Sequence, residues 1–160
     1  MDSDAGDLFT LQNEIRSRIA VALNVELVGA KAGRPTLQPD ALDCILGARA
    51  LYLGKVPTRS NHAEKIALCE RALALDPDSQ KVQSFLAWRL AARVLDQMSD
   101  SANSDLARAK ILADRALAVS PRTALAHYAK AQVLRAQQRF EEAISEFETV
   151  LAFNRNWVTQ

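Results

Sequence analysis

Cysteine is scarce in this chain: its 160 residues hold two, Cys44 and Cys69. Both lie in apolar stretches without the spacing of a metal site. They read as buried free thiols of a reducing compartment rather than as a disulfide framework. With a start unlike a secretory signal and no run long enough for a membrane span, the cytoplasm is the expected location. Aromatic residues make up 6% of the chain, and glycine and proline number five each. With so few helix breakers, and with Ala, Leu, Arg, Glu and Gln in heavy use, the composition leans towards helix. No sign of charge prevails: the net value is +1, so no global field draws in nucleic acid or an anionic membrane surface. No apolar run approaches the ~20 residues of a membrane span. The opening of the chain is acidic and polar, unlike a secretory signal.

Catalytic patterns are missing as well. No GxSxG, P-loop, HExxH or GxGxxG occurs. His62 and His127 stand apart from one another and from acidic or thiol partners at ligand spacing, so a packing or surface role is expected for both. Glu141, Glu142, Glu146 and Glu148 read as the solvated face of one helix. Arg89 and Arg93, followed by Asp96 and Asp100, read as a mixed surface rather than a phosphate site. No enzyme activity, metal or cofactor is expected.

What is present is a repeat. The apolar share is 49%, that of a globular domain with a real core. The phrase RALALDP at 71–77 returns as RALAVSP at 115–121 and, more loosely, as TVLAFNR at 149–155. The second copy follows the first by 44 residues and the third follows the second by 34. Each phrase reads as the last turn of a helix, ended in the first two by Asp76-Pro77 and Ser120-Pro121, because proline cannot continue the backbone ladder. Apolar positions recur at three and four through the segments upstream, as in Ile144, Phe147 and Leu151. Ser104 is the expected N-cap of one of these helices, with Asp105 favourable near its positive end. Partner helices are expected at roughly 40–53, 78–98 and 122–137. Self-similarity at such a period means stacked helical hairpins, since one hairpin cannot bury its apolar face alone.

Residues 124–156, ALAHYAKAQVLRAQQRFEEAISEFETVLAFNRN, resemble the tetratricopeptide repeat nearly throughout. Ala131 and Ala143 stand at its two small positions, where the helices cross closely; Leu134, Phe140, Ile144 and Phe147 stand at its large apolar ones. The matching small pairs are Ala87 with Ala109 and, less regularly, Gly47 with Lys65. Arg155 departs from the expected proline, and the second repeat carries ten extra residues. The resemblance implies an all-α solenoid of about three hairpins, repeats 40–77, 78–121 and 122–155, in a domain at 39–160. Residues 1–38 precede it with one amphipathic helix over 7–28, capped by Asp7 and striped by Leu8, Leu11, Ile15, Ile19 and Leu23. This helix is expected to cap the first repeat.

The resemblance also implies a function, the binding of proteins or peptides along an inner groove. The positions that would line it are Cys44, Ala48, Leu51 and Tyr52, then Lys81, Ser84, Phe85 and Trp88, then Leu125, Tyr128, Gln132 and Arg135. The Lys, Asn and Arg that grip a terminal carboxylate in chaperone-binding members are absent. The apolar, aromatic lining suits an amphipathic helix or hydrophobic peptide instead. A phrase similar to GDLFTLQNEI at 6–15 joins an upstream α/β domain to such arrays in large bacterial signalling proteins. That likeness implies a fragment of a longer regulator, with a class III nucleotide cyclase or a winged-helix DNA-binding domain outside it. An array cut in this way is expected to self-associate, most simply as a homodimer, through Phe147, Leu151 and Trp157.

Overall fold

The computed structural model describes residues 6–15 and 56–158, and every element among them is a helix. After the helical segment 6–15 come α1 (Arg59–Leu75), α2 (Gln80–Leu95), α3 (Ala102–Val119), α4 (Ala124–Ala136) and α5 (Phe140–Val158). The helix expected at 40–53 lies outside the described residues, and with it Cys44, Gly47, Ala48, Leu51 and Tyr52. Ile19, Leu23 and the boundary near residue 38 lie outside them too.

Local chemistry starts and stops these helices. Thr58 and Ser79 cap α1 and α2, their hydroxyls accepting from the Asn61 and Val82 amides at 3.1 and 3.4 Å. Asp76-Pro77 and Ser120-Pro121 end α1 and α3 as expected, with Asp76 and Ser120 at the C-caps. Three local expectations need correction. Ser104 lies inside the first turn of α3, whose N-cap is Ser101, and Asp7 lies within the helical residues rather than at a flanking cap. The phrase TVLAFNR does not end a helix: with Arg155 in place of proline nothing interrupts the ladder, and α5 runs on to Val158.

α2 and α4 stop by a different device. In each, an amide beyond the C-cap reaches back to the last turn: Met98 N–H to Arg93 O at 3.0 Å and Arg139 N–H to Leu134 O at 2.9 Å. This Schellman closure needs a left-handed residue just past the cap, usually glycine. The sequence has no glycine after Gly54, and Gln97 (φ 57°) and Gln138 (φ 62°) adopt that conformation instead.

The helices stack as two hairpins, α2–α3 and α4–α5, with α1 before them. α2 packs against α1, α3 and α4, while α4 packs also against α3 and α5. Ala87, Ala109, Ala131 and Ala143 are all fully buried, as small residues at close crossings must be. The ten extra residues of the second repeat are spread over three places. α2 runs eight residues past Ala87 to Leu95, while α4 runs five past Ala131 to Ala136. The turn at 96–101 replaces that at 137–139, and α3 starts seven residues before Ala109, where α5 starts three before Ala143. The insertion therefore lengthens one hairpin and leaves its crossing intact.

Leu8 and Ile15 are buried in the same core cluster as the repeats, with Leu11 packed against it. Cys69 is buried and disulfide-bonded, which overturns its reading as a free thiol. The sequence offers one other cysteine, Cys44. A bond of this kind removes the thiol argument for a reducing compartment.

Candidate binding face on the inner helices

Few as the aromatics are, four of them form one row. Phe85 and Trp88 on α2 lie 6.1 Å apart, Trp88 meets Tyr128 of α4 edge-on at 5.6 Å, and Tyr128 meets Phe147 of α5 at 5.7 Å. These separations are those of favourable ring pairs. The row ties two hairpins together across the face formed by α2 and α4.

A step of 44 residues maps this face from one repeat to the next, Lys81 onto Leu125, Ser84 onto Tyr128, Trp88 onto Gln132. Lys81 is exposed, and Leu125 and Arg135 are half-buried. The middle is closed: Ser84, Phe85 and Tyr128 are 0% exposed, Gln132 2% and Trp88 7%. Phe85 and Trp88 thus belong to the core as well as to the face. Ser84 bonds back to the Gln80 carbonyl at 2.7 Å, but two polar atoms of α4 do not find a partner. The Tyr128 hydroxyl and the Gln132 side-chain carbonyl, one turn apart, are buried and unbonded. Such groups are rare in native interiors, and each costs about 1–3 kcal/mol.

Charged residues depart further from the sequence reading. Arg89 is not on a mixed surface. It is 3% exposed, with its guanidinium carbon 4.3 Å from the centre of the Trp88 ring, a cation–π arrangement. Arg93 holds Asp105 of α3 through two bonds of 2.9 and 2.7 Å, and Ser99 donates a third at 2.6 Å. Burial pushes the Asp105 carboxyl up. The bonds from Arg93 and Ser99, with the charges of Arg93 and Arg108, outweigh it and hold the carboxyl below the usual range.

Both histidines find carboxylates far away in sequence. His62 Nε2 lies 2.8 Å from Asp96, and His127 Nδ1 lies 2.6 Å from Glu146, whose other oxygen takes Lys130 at 3.0 Å. His127 Nε2 meets the Pro121 carbonyl at 2.8 Å. Glu146 is therefore a half-buried tie between α4 and α5, whereas Glu141, Glu142 and Glu148 are solvated as expected. No local sequence signal marks these pairs, since their members are 34 and 19 residues apart. Among the described residues no group of three or more metal-ligand side chains occurs.

Of the residues expected in a self-association contact, Phe147 is fully buried and Leu151 is 7% exposed within the single chain. The side chain of Trp157 lies outside the described residues.

Residues 124–157, which span α4 and nearly all of α5, match the family model described as Tetratricopeptide repeat. No curated protein and no solved structure matches the chain.

Proposed function

We propose, from the match of residues 124–157 to the tetratricopeptide repeat, a fold of protein-interaction modules, that this chain is a scaffold taking an amphipathic helix or hydrophobic segment of a partner along the faces of α2 and α4. The observation that carries the reading is the aromatic row Phe85–Trp88–Tyr128 flanked by two unbonded polar atoms, Tyr128 Oη and Gln132 Oε1. Large rings supply anchors for a helix with few apolar side chains, and isolated polar groups among them give register. Exposed Lys81 and half-buried Leu125 and Arg135 form the rim. We assign the scaffold no reaction of its own.

The wider setting is part of the same proposal. The likeness of GDLFTLQNEI to segments of bacterial signalling proteins supports a regulator whose cyclase or winged-helix domain lies outside these residues. In that setting the scaffold works in the cytoplasm, with neither nucleic acid nor membrane as its partner. The reading frame upstream of this segment in its gene tests that setting directly.

Selection of displayed helical peptides against the whole chain tests the binding face, followed by calorimetry with the winning peptide. Leu125→Glu and Lys81→Glu are expected to weaken binding about tenfold or more, the effect of ~1.4 kcal/mol, while Glu141→Ala on α5 leaves it unchanged. A peptide that binds with equal affinity to all of these variants would place the site elsewhere.

A further inference from the structure

Ten consecutive residues of α2, Val82 to Ala91, are buried. Ten residues make nearly three turns, so α2 is covered in every direction, Gln83, Ser84 and Arg89 included. α1, α3 and α4 each cover one side. On α4, Tyr128 and Gln132 are likewise shut off from water, and neither the Tyr128 hydroxyl nor the Gln132 carbonyl has a bonded partner. Outside residues 56–158, the described side chains in that core cluster are Leu8 and Ile15, joined by Leu11.

The helical segment 6–15 has the shape for such a role. Leu8, Gln12 and Ile15 are buried on one face and Phe9 is 61% exposed on another. From Leu8 to Ile15 the stripe spans about 10 Å along a helix, close to the ~8–10 Å between the axes of two packed helices such as α2 and α4. The stripe is apolar apart from Gln12, and its Leu8 and Ile15 belong to the cluster that also holds Trp88 and Tyr128. The Tyr128 hydroxyl and Gln132 carbonyl stay unsatisfied. An occupant of that kind fits in shape but not in hydrogen bonding.

We propose that segment 6–15 is the resident occupant of the inner face of α2 and α4, and that partners bind by displacing it. This rests on the scaffold reading above. The winning partner is a helix that keeps the apolar stripe and adds a donor for Gln132 Oε1 and a polar group for Tyr128 Oη. Because the occupant is tethered, partner affinity is lowered by the fraction of chains whose face is open.

A photoreactive benzoylphenylalanine in place of Leu11, in the full chain, gives the direct test. Cross-links are expected on residues around Trp88, Tyr128 and Gln132; cross-links confined to α1 would overturn the proposal. A Leu8→Asp, Ile15→Asp double variant gives the second. Amide exchange in 81–91 and 125–135 is expected to rise about tenfold, with α5 unaffected, and a synthetic peptide of residues 6–28 restores protection. Unchanged exchange in a folded double variant counts against the occupant. Should that variant lose its helix signal, the cross-link map decides alone. The selected peptide should bind the double variant about tenfold more tightly than the parent. Equal affinity sinks the displacement and leaves the scaffold intact, whereas cross-links in place with no peptide bound by either protein sink the scaffold reading instead.

Discussion

Asp105 shows how one residue couples α2 to α3. Its carboxyl is 12% exposed and takes Arg93 and Ser99. Its folded pKa is depressed, so its contribution is present above the unfolded value of about 3.9 and is lost as pH falls through the lower folded one. Urea midpoints measured from neutral pH downwards should fall across that acid window. Asp105→Asn should lower stability at neutral pH by about 1–3 kcal/mol and flatten the acid slope; an unchanged slope would show the carboxylate does not matter. Cys69 gives a second residue-scale expectation. Alkylating reagent should leave it unlabelled in the native protein until a reductant is added, and reduction should cost about 2–4 kcal/mol. Labelling of untreated native protein by one equivalent per cysteine would mean that the bond is absent in solution.

At the scale of the element, hairpin crossings and helix ends are the tests. Ala143 is fully buried where α5 packs on α4. Ala143→Leu should overpack the crossing and cost about 1–3 kcal/mol, while Glu142→Leu, on the exposed side, should cost little. Equal urea midpoints for the two would show that the register is wrong. The left-handed glutamines invite the opposite change. Gln97→Gly and Gln138→Gly should each stabilise by about 0.5–1 kcal/mol, because a side chain at positive φ carries strain that glycine does not. A loss of thermal stability in either variant would contradict the strain argument. The regular phrases RALALDP and RALAVSP made these helices legible, since a proline stop and a three-four apolar period are local signals. α5 runs past its expected end because its third phrase lacks the proline.

For the whole molecule, the fate of the last helix decides what self-association is possible. Phe147 and Leu151 are core residues, so their side chains are expected to hold the last hairpin together rather than to meet a second copy. Leu151→Glu is expected to cost more than about 3 kcal/mol and to leave the mass measured by light scattering unchanged across a concentration series. A parent dimer that this variant turns into a folded monomer would restore the contact expected from sequence. The inner face follows the same logic. The repeat places Ser84, Phe85, Trp88, Tyr128 and Gln132 at matching positions of α2 and α4, yet their burial depends on what lies over them.

The all-helical class, the order of the described hairpins and the small residues at their crossings were determined by sequence alone. Helix periodicity and proline stops act within a few residues, and a repeat copies them along the chain. Tertiary structure alone decided the rest: the pairing of His62 with Asp96 and of His127 with Glu146, the burial of Arg89 over Trp88, the bonded state of Cys69, and the burial of Tyr128 and Gln132. Each depends on groups far apart in sequence meeting at a few ångströms. The energy of such a meeting leaves no periodic mark, because it is set by which faces the stacked helices bring together.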